Sequence, residues 1–164
     1  MVHGRDHPSD KAAVGFTVRV DPKSDRQVIA NGKLLGTESG IWRWENKEPI
    51  PTYTMVVGAA EFAVDRVGES CFESRCTEIS TWIFPPDTAT AAPSFRRAAE
   101  MVAVFTELVA PFPYDRLAHV QSSTRFGGMV NVTAIFYPEK ALAELRVVGE
   151  LLAQDFGVGG RVLI

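Results

Sequence analysis

The run Gly127-Gly128-Met129-Val130-Asn131-Val132 is the most particular stretch of this chain. Glycine has no Cβ, so backbone at Gly127 and Gly128 lets an extended peptide approach closely, and a strand edge can hold such a peptide through main-chain hydrogen bonds alone. The plainer reading of Met129 to Phe136 is a packed strand. Reactive groups elsewhere are sparse. The histidines His3, His7 and His119 include no pair at i, i+4, the spacing that aims two imidazoles at one metal. Glu150 and Asp155 are spaced so that their carboxylates fall on different faces of a helix. No Gly-x-Ser-x-Gly elbow occurs, and His119 has no nucleophile beside it in sequence. Gly157-Val158-Gly159-Gly160 resembles a phosphate loop only in glycine content, since no Gly-Lys-Ser/Thr ending follows, and reads as a flexible terminus. Cys71 and Cys76 have no second pair and no nearby His, too few donors for a four-ligand zinc site. They read as ordinary reduced thiols, with a local disulfide as the alternative.

The elements that must position these groups belong to a folded globular chain. With 164 residues it has the length of one domain or parts of two, and 46% hydrophobic with 23% charged residues excludes disorder of the whole. A net charge of -3 with scattered Lys and Arg gives no electrostatic footprint for nucleic acid or an anionic membrane. No apolar run is long enough to span a bilayer, and Met1 to His7 lacks the apolar stretch of a signal peptide, so a cytoplasmic location is expected.

The first half reads as β structure. Phe16, Val18 and Val20 alternate with Thr17 and Arg19, and Ile41-Trp42-Arg43-Trp44 alternates again, with both Trp residues expected to pack on a sheet. Asn31-Gly32 between Gln27–Ala30 and Lys33–Leu35 predicts a tight hairpin. Tyr53 to Val64 predicts one long strand. Pro85 to Pro93 has the composition of a connection. Beyond it, Phe95, Ala98, Ala99, Val102, Phe105, Leu108 and Val109 predict an amphipathic helix with Ser94 as N-cap and Pro111 and Pro113 past its end. Leu117 to Ser123 and Met129 to Phe136 read as strands, and Pro138 to about Phe156 as a second helix.

Taken together, these segments resemble the aminopeptidase N family of gluzincin zinc aminopeptidases. Gly127-Gly128-Met129-Val130-Asn131 is similar to the family's Gly-x-Met-Glu-Asn motif, and His7 to Ala12, Pro49 to Tyr53, Ile79 to Trp82 and Pro111 to Leu117 follow in family order. The resemblance implies an α+β chain, with the end of an all-β N-terminal domain at 1–84, a connection at 85–93 and the start of a thermolysin-like α+β catalytic domain at 94–164. It implies that Gly127, Gly128, Met129 and Asn131 lie on the substrate-binding strand, with Val130 where the family's Glu grips a free α-amino group. Gly149-Glu150-Leu151-Leu152-Ala153 aligns with the metal-binding His-Glu-x-x-His. Glu150 thus stands at the general-base position while both imidazoles are replaced, and the third ligand would lie beyond Ile164. The family's cofactor is zinc and its reaction removes N-terminal residues from peptides. For this chain the expectation is no metal, no catalysis by itself, residual binding of peptides or a partner, and self-association through apolar surface left uncovered.

Overall fold

The computed structural model describes residues 7–124 and 128–142. Seven strands come first: β1 (Lys11–Arg19), β2 (Gln27–Ala30), β3 (Lys33–Glu38), β4 (Ile41–Pro51), β5 (Val57–Ala60), β6 (Ala63–Phe72) and β7 (Arg75–Ile83). Helices α1 (Thr88–Phe95) and α2 (Ala98–Leu108) follow, then β8 (Arg116–Ser122), β9 (Met129–Asn131) and β10 (Ala134–Pro138). They form an antiparallel sheet β1-β4-β3, a two-stranded sheet β2-β5, and a mixed sheet β6-β7-β8-β10-β9. In the mixed sheet β8 lies parallel to both β7 and β10, while β6 and β9 are antiparallel to their neighbours. A parallel link needs a crossover, and the two helices supply the one from β7 to β8.

Alternation along the mixed sheet builds two cores. Leu117, Ile135 and Tyr137 face the helices with Phe95, Val102 and Phe105. Ala118, Val120, Ala134 and Phe136 face the other way, toward Ile29, Trp44 and Phe62. Every residue of β8 is buried, as expected of a central strand covered on both faces. Trp44 is buried and Trp42 packs half-buried beside it, in keeping with the expected sheet packing.

Several local expectations give way to tertiary contacts. Asn31-Gly32 is no hairpin turn: β2 pairs with β5 and β3 with β4, so the two strands it joins enter different sheets. The Asn31 side chain is buried instead, donating to the carbonyls of Thr54 (3.0 Å) and Val132 (2.6 Å) and accepting from the Val56 N–H (2.7 Å). Gly32 has φ +83°, and a Cβ there would collide with the Glu45 carbonyl. Tyr53 to Val64 divides into a turn, β5 and the start of β6. Much of the expected connection at 85–93 is helical, because Ala-rich sequence favours a helix and Ala91 and Phe95 are buried. Ser94 is buried inside α1 and caps nothing, and Pro93 lies two residues from that helix's end. Helix α2 buries Ala98, Met101, Val102 and Phe105, an i, i+3, i+4, i+7 face, yet Leu108 is 76% exposed where the helix ends. Met129 to Phe136 is two strands joined at Val132-Thr133. Strands β6 and β7, which precede position 85, share the mixed sheet with β8, which follows it. Cys71 and Cys76 are bonded instead of reduced, because the β6–β7 register sets them opposite each other with Cα atoms 4.0 Å apart. Of the predicted second helix, Glu139–Ala141 forms a short 3-10 turn, and residues from 143 on lie outside the described ones.

One buried cation links the sheets. The Arg116 guanidinium lies 4.5 Å from the ring centre of Trp44 on β4 and 5.4 Å from that of Trp82 on β7, and its Nη1 donates to the Gly32 carbonyl at 3.2 Å. Burial lowers its pKa to about 10, with nearby Glu78 acting in the opposite direction, so it remains charged at neutral pH. Asn31→Ala orphans two carbonyls and an N–H, and should lower unfolding free energy by about 3 kcal/mol or more. Arg116→Lys keeps the charge but loses the planar stack, and a loss of about 2 kcal/mol is expected. Urea titrations followed by tryptophan emission measure both; a change under about 0.5 kcal/mol in either would contradict the role given to that residue.

Candidate functional site

The candidate strand owes its place to a turn locked from outside its own sheet. Thr133 has φ 66°, a conformation that β-branched residues rarely adopt. Its Oγ1 accepts the Gly32 N–H at 2.7 Å, and its carbonyl accepts the Ala118 N–H at 2.9 Å. The preceding carbonyl, Val132, is held by Asn31. Thus the corner between β2 and β3 grips both turn residues and imposes a backbone that the local sequence disfavours.

From that turn β9 runs back along β10, with Asn131 opposite Ala134, Val130 opposite Ile135 and Met129 opposite Phe136. It is the outer strand of the mixed sheet among the described residues. Gly128, with φ 129°, leads into it. Met129 is 51% exposed. Val130 is half-buried against the helix-side core, so its isopropyl group has an apolar environment. Asn131 is buried, and its Nδ2 reaches the Met129 carbonyl at 3.4 Å. The structure therefore brings Gly128, Met129 and Asn131 together on one edge, while Gly127 and Glu150 lie outside the described residues. Chemically, this edge offers backbone donors and acceptors to an extended chain.

Behind it, His119 on β8 is fully buried. Its Nδ1 is 2.9 Å from the Tyr137 hydroxyl, and Phe95 packs on its ring at 4.9 Å between centroids. Its Nε2 has no hydrogen-bond partner among the described residues. Sequence left His119 without a partner, and Tyr137 on the parallel neighbour β10 is the one that the fold supplies. Among the described residues no group of three or more His, Cys, Asp and Glu is placed to hold a metal, and no helix is long and apolar enough to cross a membrane. An open surface depression of about 690 Å³ is lined by Asp25, Arg26, Trp42, Glu61, Phe62 and Pro85 among others, none of them on β9.

No protein-family model matches the chain. No curated protein matches it either. Solved structures do. The M1 zinc metallopeptidase of Deinococcus radiodurans superposes with a TM-score of 0.74 at 18% identity, over 92% of this chain and 35% of that one. A mutant of that enzyme bound to a Tyr-Ser-Ala substrate gives 0.77 at 18% identity, again over 92% and 35%. Leukotriene A4 hydrolase from Saccharomyces cerevisiae gives 0.71 at 17% identity, over 91% of this chain and 22% of that one. The fold is that of the M1 zinc metallopeptidases. Within the M1 fold, the chain is mostly β with a few helices and matches the N-terminal β domain and the start of the α+β catalytic domain. It spans about a third of the bacterial structures and under a quarter of the yeast enzyme.

Burial depresses the His119 pKa from 6.5 to about 3. Between those values the unfolded chain takes up a proton that the folded chain refuses. His119's contribution to stability is therefore complete above pH 6.5 and is lost as pH falls toward 3, at about 1.4 kcal/mol per pH unit. His119→Gln keeps a hydrogen-bonding group near Tyr137 but cannot titrate. Urea midpoints between pH 7 and pH 4.5 should fall more steeply for the native chain than for this variant, and parallel slopes would rule out a buried neutral imidazole.

Proposed function

We propose that this chain is a non-catalytic relative of the zinc aminopeptidases, whose reaction removes N-terminal residues from peptides. One conjunction carries the reading: an M1-type fold is combined with Val130, Gly149 and Ala153 where the resemblance to that family implies a carboxylate and two imidazoles. Glycine and alanine offer no metal-donor side chain, and a catalytic zinc site needs three protein ligands with one position left open. Without the metal, Glu150 at the general-base position has no water of lowered pKa to deprotonate. Valine at 130 cannot bind an α-amino group, so recognition of a free peptide N-terminus is lost along with the chemistry. Zinc is the cofactor of the family and not of this chain on this reading, and a cytoplasmic location belongs to the same proposal.

A second reading is favoured by β9 itself, an outer strand with Met129 exposed and Gly128 beside it. As a peptide- or partner-binding edge it would add an extended segment through main-chain bonds, which needs no zinc. Self-association is proposed as well, through apolar side chains such as Leu108 and Leu35 that stand exposed among the described residues.

After dialysis the chain should hold no stoichiometric zinc and should leave an aminoacyl chromogenic substrate intact; metal analysis and a chelator-controlled assay check this. Chelator-sensitive hydrolysis would refute the proposal. Gly149→His with Ala153→His restores the family's His-x3-His spacing, which on a helix aims two imidazoles at one metal, and should create measurable zinc affinity. Unchanged affinity in a folded double variant would show that 149–153 is misaligned with the metal-binding segment. Any peptide affinity at β9 should be the same for free and N-acetylated peptides, since Val130 cannot read the amino group. Fluorescence anisotropy compares the two, and a strong preference for the free amine would count against the assignment.

A further inference from the structure

The β6–β7 hairpin carries a pair of sulfurs that the proposed function does not use. Its closing pair is Phe72 opposite Arg75, with Glu73-Ser74 as the two-residue turn and Glu73 at φ 53°. Cys71 and Cys76 are the next pair, bonded to each other, and both residues are exposed. The hairpin does not depend on that bond, because its ladder runs on from the tip to Ala63 opposite Ile83. A cross-link over so few residues closes a loop that the strand pairing has already closed.

The tip also rests on another part of the fold. Arg75 Nη1 donates to the Pro113 carbonyl at 3.1 Å, and Thr77 Oγ1 donates to the Tyr114 carbonyl at 2.8 Å. Phe72, Arg75 and Thr77 line a small cleft with Thr106, Pro111 and Phe112. The connection from α2 to β8 is therefore seated on the strand that carries Cys76. Just beyond it, Glu78 N–H donates to the Asp115 carbonyl at the start of the buried parallel pair β7–β8.

We propose that Cys71–Cys76 is a reversible thiol–disulfide exchange site for a small monothiol of the glutathione class, and that its state is felt at the Pro111–Tyr114 connection. Buried disulfides resist exchange because an attacking thiolate cannot reach them; this one stands at an exposed tip. The thiolate attacks one sulfur, the S–S bond breaks, and the other cysteine leaves as a thiolate that takes a proton from water. A second monothiol attacks the mixed disulfide, releases the small-molecule disulfide and frees the second cysteine. Two electrons and two protons pass from two monothiols to the protein, and the small-molecule disulfide reverses the sequence. Opening the bond loosens the tip and the Arg75–Pro113 contact, while β7 from Ile79 inward stays buried.

The test uses the whole chain equilibrated in glutathione buffers from fully reduced to fully oxidised, quenched by alkylation and weighed, with hydrogen exchange on both end states. The expected result is reversible interconversion between zero and two alkylated thiols without denaturant. Amide exchange at Phe112, Tyr114 and Asp115, the residues of this connection that carry a backbone N–H, should be about tenfold faster in the reduced form while 117–121 stays unchanged. Cys71→Ser with Cys76→Ser should fold cooperatively and match the reduced form, and Arg75→Gln in the oxidised protein should reproduce the faster exchange at Tyr114. Thiols that react only in denaturant, a chain that oxidised glutathione cannot close, or reduction that abolishes the cooperative melt would each overturn the proposal. So would equal protection at 111–115 in the two redox states.

Discussion

A guanidinium packed against two tilted indole rings is the interaction that the rest of this structure is arranged around. Arg116 comes from the centre of the mixed sheet, Trp44 from the middle of the first sheet, and the Gly32 carbonyl from the corner between the two smaller pairings. Taking a cation out of water is unfavourable unless its surroundings replace the lost hydration. Here two π faces and a carbonyl do so, and the lowered pKa of about 10 still leaves the charge in place. Each partner has to arrive at its own register, so this one buried charge constrains three sheets at once. Gly32 shows how narrow the fit is, because any side chain there would meet the backbone of β4.

That corner also governs β9, the strand that carries the candidate residues. Asn31 and Gly32 take hold of Val132 and Thr133 and keep a β-branched residue at positive φ. The strain is tolerated because a buried side-chain bond opposes it. The outer strand β9 is thus positioned by the small β pairings across the chain as well as by its own neighbour β10. On the other face, a neutral His119 between Phe95 and Tyr137 lets the central strand be covered by helices without a second buried charge.

Periodicity made part of this legible. The alternation at Phe16 to Arg19 and at Ile41 to Trp44, and the helical spacing from Ala98 to Phe105, are local patterns, and the structure places a strand or a helix over each. Asn31-Gly32 misled because a turn signal reports only backbone angles. Gly32 does adopt positive φ, yet the strands on either side pair elsewhere. Leu108 fits the helical period but stands past the core, since period does not say where the sheet beneath a helix ends. Of the candidate residues, Met129 and Asn131 lay on a strand as read, but Thr133, which holds the strand's turn, carried no signal in the sequence. Its partner lies 101 positions away.

What the sequence alone determined is chemical: valine at 130, glycine at 149 and alanine at 153 lack donor atoms, and no fold can supply a ligand that a side chain does not possess. The short-range alternation of apolar residues also settled where many of the elements form, because burial of one face acts within a few residues. The tertiary structure alone decided which strands pair, that Cys71 meets Cys76, that Asn31 reaches Val132, and that Arg116 packs against both Trp44 and Trp82. Those choices rest on pairing most buried polar groups together across the whole fold, a condition that no local window of sequence contains.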